Sequence, residues 1–142
     1  YVKKLRISVI MFSSTEYISF SDCDPAGIMF FSRAFEKAHN TYEKFLFANG
    51  LGSYFGSGEV VIPILNACCD FKKPLRAGEE IAVNITLSEM KENSFLLMYT
   101  ILKTSGEIAA IVKTVHLCVL KENFVKCNIT DDLKSALLKL GT

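Results

Sequence analysis

The sequence predicts an α+β fold in which one long helix packs against a single curved antiparallel sheet of about five strands. Three observations support this prediction. Apolar residues recur at helical spacing over residues 31–46, a short strand-like segment precedes them, and four long segments rich in β-branched and aromatic residues follow. The turn groups between these four segments are short, so the strands are expected to pair as an antiparallel meander.

The first strand is predicted at residues 16–21, where polar and apolar side chains alternate, and residues 5–12 are a candidate for an extended segment before it. Residues 22–27 follow and read Asp-Cys-Asp-Pro-Ala-Gly. Pro fixes φ and Gly permits a positive φ, so this stretch is predicted to form a tight loop.

The long helix is predicted after the loop, because apolar residues recur every three or four positions from Phe31 to Leu46. Ser32 is the candidate N-cap, and Asn49 with Gly50 supplies a C-terminal stop.

The remaining chain has the composition of strands. Short turn groups separate the four segments, and a closing helix is predicted from Asp131 to Gly141. The predicted strands are residues 59–71, 79–90, 95–104 and 107–120.

Composition excludes several classes of function. The 142-residue chain is 50% hydrophobic, and we expect residues 1–142 to fold as one domain. A net charge of +1 argues against nucleic-acid binding, which needs a clustered excess of basic residues. The apolar runs are far shorter than the ~20 residues that span a bilayer, and no signal-peptide cleavage pattern follows the basic N-terminal residues. We therefore expect a cytoplasmic protein that does not enter a membrane.

The five cysteines are odd in number, and neither they nor the two histidines have zinc-ligand spacing. We expect reduced thiols, no metal and no cofactor. Residues 108–112 are apolar at more than alternate positions, so the outer face or edge of the sheet needs a cover. A second copy of the chain is the simplest cover, because symmetric dimers are the commonest oligomers.

Residues 20–31 carry a recognisable motif, Phe-Ser-Asp-Cys-Asp-Pro-Ala-Gly-Ile-Met-Phe-Phe, between the first strand and the long helix. This motif resembles the signature of hotdog-fold acyl-CoA thioesterases of the 4-hydroxybenzoyl-CoA thioesterase type. The likeness extends over most of residues 16–126. Residues 65–78 and 93–95 look most like 1,4-dihydroxy-2-naphthoyl-CoA hydrolases, whereas the Asp-Cys-Asp-Pro-Ala-Gly spelling matches 4-hydroxybenzoyl-CoA thioesterase.

The resemblance implies a hotdog fold and the hydrolysis of an aromatic acyl-CoA thioester to a free acid and CoA. It places the catalytic carboxylate on Asp24, as nucleophile or as general base for water, and these two routes stay open. The backbone N–H of Phe31, at the start of the helix, would polarise the thioester carbonyl. Gly27 would let the chain turn and let the ligand approach the backbone.

The resemblance also implies a substrate and CoA site shared between subunits of a homodimer or homotetramer. The acyl group would contact Phe30, Ile62 and Pro63. The CoA moiety would contact Lys91, Asn93, Ser94 and Lys126, where a lysine meets a phosphate as a point charge. Many bacterial relatives have a Tyr-His pair where this chain has Phe30-Phe31, which favours the carboxylate-plus-backbone scheme.

Several alternatives stay open at this point. Asp22 is interpreted as a hydrogen-bonding residue of the loop, and Cys23 as a packing residue. Glu36 and Glu43 are weighed because a related branch of the family uses a helix Glu, but solvated helix acids explain them better. A thioesterase for medium-chain acyl-CoA or acyl carrier protein is the second enzyme reading, and a non-catalytic acyl-CoA-binding protein is the reading from another class. A hotdog dehydratase would need a histidine that the loop does not provide.

Overall fold

The computed structural model describes residues 11–142, so most of the candidate extended segment at residues 5–12 lies outside the described residues. Residues 11–142 contain two helices and seven strands, together with 3-10 turns at Phe20–Asp22 and Gly52–Phe55. In chain order they are β1 (Phe12–Tyr17), α1 (Phe31–Ala48), β2 (Val60–Val61), β3 (Ile64–Phe71), β4 (Glu80–Met90), β5 (Ser94–Lys103), β6 (Ile108–Leu117), β7 (Val119–Leu120) and α2 (Asp131–Lys139).

Five strands form one antiparallel sheet in the order β1-β4-β5-β6-β3, and β2 pairs with β7 in a separate two-stranded ladder. Burial alternates along β4 and β5, so one face of the sheet points into the core. The apolar stripe of α1, which includes Ala38, Tyr42 and Phe45, packs in that core with Val83 and Leu97. The predicted α+β architecture, a long helix against an antiparallel sheet, is therefore confirmed.

The predicted meander is only partly present. Strands β4, β5 and β6 follow one another, but β3 pairs with β6 and lies at the edge, four positions from β1. The intervening residues 72–79 cross over instead of turning back. The N–H groups of Lys72 and Lys73 donate to the carbonyl of Ala109, and the N–H of Gly78 donates to the carbonyl of Ile18 beside β1. These long-range bonds leave no local trace in the sequence.

The first strand was predicted too late in the chain. It ends at Tyr17, and Phe20–Asp22 form a 3-10 turn. The cause is a capping box in which the Asp22 carboxylate accepts hydrogen bonds from the N–H and hydroxyl groups of Ser19, at 2.9 and 3.0 Å. The polar and apolar alternation of residues 18–21 therefore belongs to the turn and its approach, and not to a strand.

Three further boundaries differ from the predictions. Helix α1 begins at Phe31 with Phe30 as N-cap, so Ser32 lies within the first turn and does not cap it. The segment predicted at 59–71 breaks at Pro63, which has no N–H for a ladder. The segment predicted at 107–120 breaks at Cys118, whose N–H donates to the carbonyl of Asn93. Within residues 11–142, neither helix is long and apolar enough to cross a membrane.

Candidate active site

The loop between β1 and α1 is a narrow hairpin with a turn at its tip. The N–H of Gly27 donates to the carbonyl of Asp24 at 2.9 Å, which closes a turn with Pro25 at its second position. Gly27 has φ +79°, a conformation that residues with a Cβ rarely adopt. One carboxylate oxygen of Asp24, Oδ1, accepts from the N–H of Ala26 at 2.8 Å. That bond fixes the orientation of the carboxylate from inside its own turn.

Backbone hydrogen bonds hold the rest of the loop. The N–H of Asp24 donates to the carbonyl of Ile28 at 3.0 Å, and the N–H of Met29 donates to the carbonyl of Leu75 at 2.7 Å. The N–H of Phe30 donates to the carbonyl of Asp22 at 2.8 Å. The loop is thus tied at its base to itself and to the crossover of residues 72–79.

Asp22 is buried and lies where the loop meets the helix. Burial by itself would raise the pKa of Asp22, but hydrogen bonds from Ser19 and from the ammonium of Lys37 hold that pKa below its ordinary value. The ammonium lies 3.0 Å from Oδ2, and the guanidinium of Arg33 lies 3.8 Å from Oδ1. Asp22 therefore has the structural, hydrogen-bonding environment that the sequence indicated for it.

The first turn of α1 has free backbone donors. No side chain caps this helix, and Phe30 has the extended conformation of an N-cap, with φ −64° and ψ 139°. Within residues 11–142, the N–H groups of Phe31 and Ser32 find no hydrogen-bond acceptor. A helix N-terminus of this kind stabilises negative charge on a nearby oxygen.

Asp24 and the start of α1 border the same cavity, which has a volume of about 410 Å³. Phe30 and Phe31 form part of its wall, with ring centroids 4.7 Å apart, and both rings are exposed. The other walls come from the loop before α1, from β3, from β6 and from the crossover. They are formed by Ile28, Met29, Phe71, Lys72, Lys73, Pro74, Leu75, Ala109 and Ala110. The cavity thus joins a carboxylate, free N–H donors and an apolar surface.

The residues predicted to bind CoA also lie together, but elsewhere. Lys91, Asn93, Ser94 and Lys126 line a second cavity of about 400 Å³, together with Leu65, Glu92 and Leu117. The ammonium of Lys91 is exposed and lies 3.7 Å from a carboxylate oxygen of Glu89. The amide of Asn93 donates to the side chain of Asn128 at 3.0 Å.

The two cavities are at opposite ends of β6. Ala110 borders the first and Leu117 the second, and seven residues of strand span about 24 Å. Ile62 and Pro63 lie at the second end, where the carbonyl of Pro63 accepts from the N–H of Leu117 at 3.0 Å. One chain therefore brings Asp24, Gly27, Phe30 and Phe31 together and places the other predicted site residues far from them.

A third cavity of about 450 Å³ lies between α1 and the β3–β6 edge, and sequence reasoning missed it. Phe35, His39, Tyr99 and Thr114 line it. The first cavity, called the Asp24 cavity from here on, likewise contains Phe71 and Leu75, which sequence reasoning did not assign to the site. Residues 70–75 resemble the corresponding segment of the family, but this resemblance does not indicate that they lie beside Asp24. In the described part of the chain, no group of three or more His, Cys, Asp or Glu side chains could hold a metal ion.

Comparisons with known proteins identify the family of this chain. A family model described as "Thioesterase-like superfamily" matches residues 18–137. A 1,4-dihydroxy-2-naphthoyl-CoA hydrolase from Rippkaea orientalis is 35% identical over 109 residues, which is 74% of this chain and 79% of that protein. A hydrolase of the same name from Thermosynechococcus vestitus is 30% identical over 122 residues, 84% of each chain.

Solved structures are similar in fold. A 1,4-dihydroxy-2-naphthoyl-CoA thioesterase from Synechocystis superposes with a TM-score of 0.84 at 23% identity, covering 91% of this chain and 96% of its own. A gentisyl-coenzyme A thioesterase superposes with a TM-score of 0.79 at 24% identity, covering 88% and 98%. The hotdog fold expected from the sequence is confirmed by these superpositions.

Proposed function

This chain belongs to the thioesterase-like superfamily, and on that premise we propose that it hydrolyses an aromatic acyl-CoA thioester to the free acid and CoA. The observation that carries the proposal is the single cavity shared by Asp24 and the uncapped N-terminus of α1. The relatives at 30 to 35% identity are named as hydrolases of 1,4-dihydroxy-2-naphthoyl-CoA. That compound, or a close aromatic analogue, is the substrate class we assign.

Asp24 either supplies the attacking oxygen itself or activates the water that supplies it. Its carboxylate either attacks the thioester carbonyl and forms a mixed anhydride that water hydrolyses, or removes a proton from a water that attacks directly. In both routes negative charge develops on the carbonyl oxygen. The N–H of Phe31 donates to that oxygen, and the dipole of α1 adds to the stabilisation. The Ala26 N–H bond to Oδ1 leaves Oδ2 of Asp24 for the reaction.

The site is completed by a second copy of the chain, paired along β3. In the described chain only one edge of β3 is paired, with β6, and the exposed residues Leu65 and Phe71 lie near its two ends. An unpaired edge of this kind is a template for a partner strand. Antiparallel pairing of β3 with itself about a two-fold axis places the Leu65 end of one copy beside the Phe71 end of the other.

This arrangement resolves the separation of the predicted site residues. Leu65 borders the second cavity, called the CoA cavity from here on, and Phe71 borders the Asp24 cavity. The two-fold pairing therefore brings the CoA cavity of each copy to Asp24 of the other. Pro63 directly precedes Ile64 at the same end of β3, so the pairing places it beside the partner's Asp24 cavity as well. Lys91 and Lys126 then supply positive charge to the phosphates of a CoA whose thioester lies in the partner's cavity.

The acyl group occupies the third cavity in this proposal. Ile64 and Ala67 of β3 line that cavity, so the same pairing sets it beside the partner's Asp24 cavity. Its walls include Phe35 and Tyr99, which suit a flat aromatic ring better than a flexible chain. A medium-chain acyl-CoA is the competing substrate, and it would give the higher kcat/KM if the aromatic walls did not favour an aromatic acyl group.

A cytoplasmic location belongs to the proposal because all five thiols are unpaired.

Replacing the Asp24 carboxylate tests the function. Asp24→Asn keeps the size and the Ala26 bond, and we expect kcat to fall by about 10²–10⁴-fold with KM little changed, because a reacting group is lost. Glu43→Gln removes an exposed helix carboxylate and is the matched control, whereas Glu36 lines the third cavity and is not used as one. Glu43→Gln should retain kcat with 1,4-dihydroxy-2-naphthoyl-CoA, benzoyl-CoA and octanoyl-CoA as substrates. Turnover by folded Asp24→Asn at wild-type rate, or loss of turnover in Glu43→Gln alone, would contradict the assignment.

A further inference from the structure

Two of the five cysteines lie directly opposite each other in a small hairpin after β6. Val119 forms an antiparallel bridge with Lys126. On one side of that bridge the N–H of Cys127 donates to the carbonyl of Cys118 at 3.0 Å, and on the other the N–H of Leu120 donates to the carbonyl of Val125 at 2.9 Å. Cys118 and Cys127 are therefore cross-strand neighbours, and the side chains of such a pair point to the same face.

The surroundings of the two thiols agree with this register. Cys118 is fully buried in the main hydrophobic core, and Cys127 is half-buried and packs against the same core. Directly opposed residues of antiparallel strands have Cα atoms about 4.5–5.5 Å apart, inside the range of about 4.4–6.8 Å that disulfides span. Both thiols are free in the structure. The register therefore places the two cysteines within the Cα separation that a disulfide requires.

We propose that Cys118 and Cys127 form a reversible disulfide, which makes this hairpin a site of oxidative modification. The co-reactant is a low-molecular-weight disulfide such as oxidised glutathione. The half-buried Cys127 thiolate attacks one of its sulfurs and expels one glutathione thiolate. The Cys118 thiolate then attacks the Cys127 sulfur of the mixed disulfide and expels the second. The protein dithiol loses two electrons and two protons, and one glutathione disulfide becomes two glutathione thiols.

Burial determines which of the two thiols reacts first. Burial, with a smaller contribution from Cys127, raises the pKa of Cys118 to about 12, so Cys118 is almost entirely a thiol at neutral pH. The first attack therefore belongs to the more accessible Cys127. The closing step is slow but intramolecular, and the cross-strand register keeps the attacking sulfur beside its target.

The disulfide changes the position of Lys126, which precedes Cys127 and borders the CoA cavity. The Cβ atoms of a cross-strand pair lie about 5 Å apart, whereas those of a disulfide lie about 3.8 Å apart. Closing the bond therefore draws the strands together and shifts the Lys126 backbone. This consequence rests on the proposed function: loss of one exposed lysine–phosphate contact raises KM for acyl-CoA about two- to fivefold and leaves kcat unchanged.

The experiment incubates the full-length protein with oxidised or reduced glutathione, blocks free thiols, and maps tryptic peptides by mass spectrometry. Cleavage after Lys113, Lys121, Lys126 and Lys134 separates residues 114–121, which contain Cys118, from residues 127–134, which contain Cys127. We expect these two peptides to be joined after oxidation and released by dithiothreitol. In parallel, KM for the acyl-CoA should rise on oxidation and recover on reduction.

Two variants make the result specific. Cys127→Ser should lose both the linkage and the response of KM, and its reduced-state KM should equal that of the wild type. Cys68→Ser removes an exposed thiol of β3 and should keep the linkage. A glutathione adduct on Cys127 that never closes, or Cys118 joined to another cysteine, would overturn the proposal. A joined pair with unchanged KM would overturn its coupling to Lys126. If the reduced protein hydrolyses no acyl-CoA, the proposed function fails while the peptide map still decides the disulfide.

Discussion

The ammonium of Lys37 lies 3.0 Å from the carboxylate of Asp22, and both side chains are almost completely shielded from solvent. The same ammonium donates to the carbonyl of Tyr17 at the end of β1. Lys37 is on the second turn of α1, so one cation fastens the helix to the strand before the loop and to the loop itself. The Asp22 carbonyl in turn accepts from the N–H of Phe30, next to the proposed oxyanion donor.

Lys37→Met should therefore weaken both stability and catalysis. The substitution keeps the length of the side chain but leaves the Asp22 carboxylate buried with fewer partners, which we expect to cost about 2 kcal/mol in the free energy of unfolding. Because the loop loses its fastening, kcat should also fall. Lys44→Met is the matched control, since Lys44 is half exposed and pairs with Glu16 at 2.8 Å. Its cost should stay within about 1 kcal/mol, with kcat retained. Equal urea midpoints for the two variants would contradict this prediction.

Gly27→Ala should reduce activity more than its stability cost explains. A Cβ at Gly27 would meet no atom within 4 Å, so the penalty is the strain of φ +79°, about 1–2 kcal/mol. Gly106 has φ +87° in the β5–β6 turn and is equally uncrowded, so Gly106→Ala should lower the melting temperature by a similar amount. Only Gly27→Ala should lower kcat, because only this turn orients Asp24. The comparison needs calorimetry and steady-state kinetics on both variants, and a parallel loss of kcat in Gly106→Ala would refute it.

A proline at position 31 tests the backbone donor directly. Phe31 is the first helical residue, where proline fits a helix well, and the extended conformation of Phe30 suits a residue before proline. Phe31→Pro removes both the ring and the N–H, whereas Phe31→Ala removes the ring alone. We expect kcat of Phe31→Pro to be about 10²–10³-fold below that of Phe31→Ala, the usual effect of losing an oxyanion donor. Circular dichroism should show intact helix in both, and equal kcat values would remove Phe31 N–H from the mechanism.

Mixed subunits test the shared site. Asp24→Asn and the double variant Lys91→Ala/Lys126→Ala should each be impaired alone. If each site takes Asp24 from one copy and the lysines from the other, a mixed dimer contains one intact site. Unfolding and refolding an equimolar mixture should then restore about a quarter of wild-type activity, since half of the dimers are mixed. Recovery no greater than the mean of the two variants assayed separately would mean that each chain uses its own lysines.

Acid should weaken the fold through His116. This residue is fully buried, its Nε2 lies 2.7 Å from the Thr114 hydroxyl, and its ring stacks on Phe95. Burial, with a smaller contribution from His39, lowers the pKa of His116 to about 3. In the unfolded chain the pKa of this histidine is about 6.5, so between pH 6.5 and pH 3 the imidazole is protonated in the unfolded state and neutral in the folded state. Stability contributed by neutral His116 is therefore complete above pH ~6.5 and is lost as the pH falls below it, by up to about 1.4 kcal/mol per unit.

Urea unfolding at pH 7, 6 and 5 measures this slope. His116→Gln keeps an amide near the position of Nε2 and should be less stable at pH 7, yet lose much less stability on acidification. His39→Gln replaces an exposed histidine and should keep nearly the wild-type slope. An unchanged slope in His116→Gln would assign the acid sensitivity to other groups.

The elements that could be predicted from the sequence are those set by local pattern. The apolar stripe of α1 gave its span from Phe31 to near Asn49, and runs rich in β-branched and aromatic residues between turn groups gave β4 and β5 to within one residue at each end. The place of β3 could not be predicted, because its pairing with β6 depends on residues about 45 positions away. Ser32 has the right chemistry for an N-cap, but Phe30, whose N–H donates to the carbonyl of Asp22, occupies the N-cap position two residues earlier.

The candidate site divides in the same way. The loop motif was sufficient to predict that Asp24, Gly27 and Phe31 lie near one another, in the loop and at the helix start that follows it, because they are close in sequence. The contributions of Phe71 and Leu75 depend on where the crossover runs, and no local pattern contains that information. The distance between the two cavities follows from the antiparallel order of β5 and β6, which places residue 94 beside residue 117 and far from residue 110.

The loop that carries Asp24 is held at its base by the carbonyl groups of Asp22, Ile28 and Leu75. Carbonyl groups are the same in every residue, so the side chains of Ile28 and Leu75, which line the cavity, can change while the loop keeps its shape. The wall of the cavity can therefore be remodelled by mutation without displacing the carboxylate. Single substitutions in this wall can therefore change which acyl group the site accepts while the position of the Asp24 carboxylate is kept.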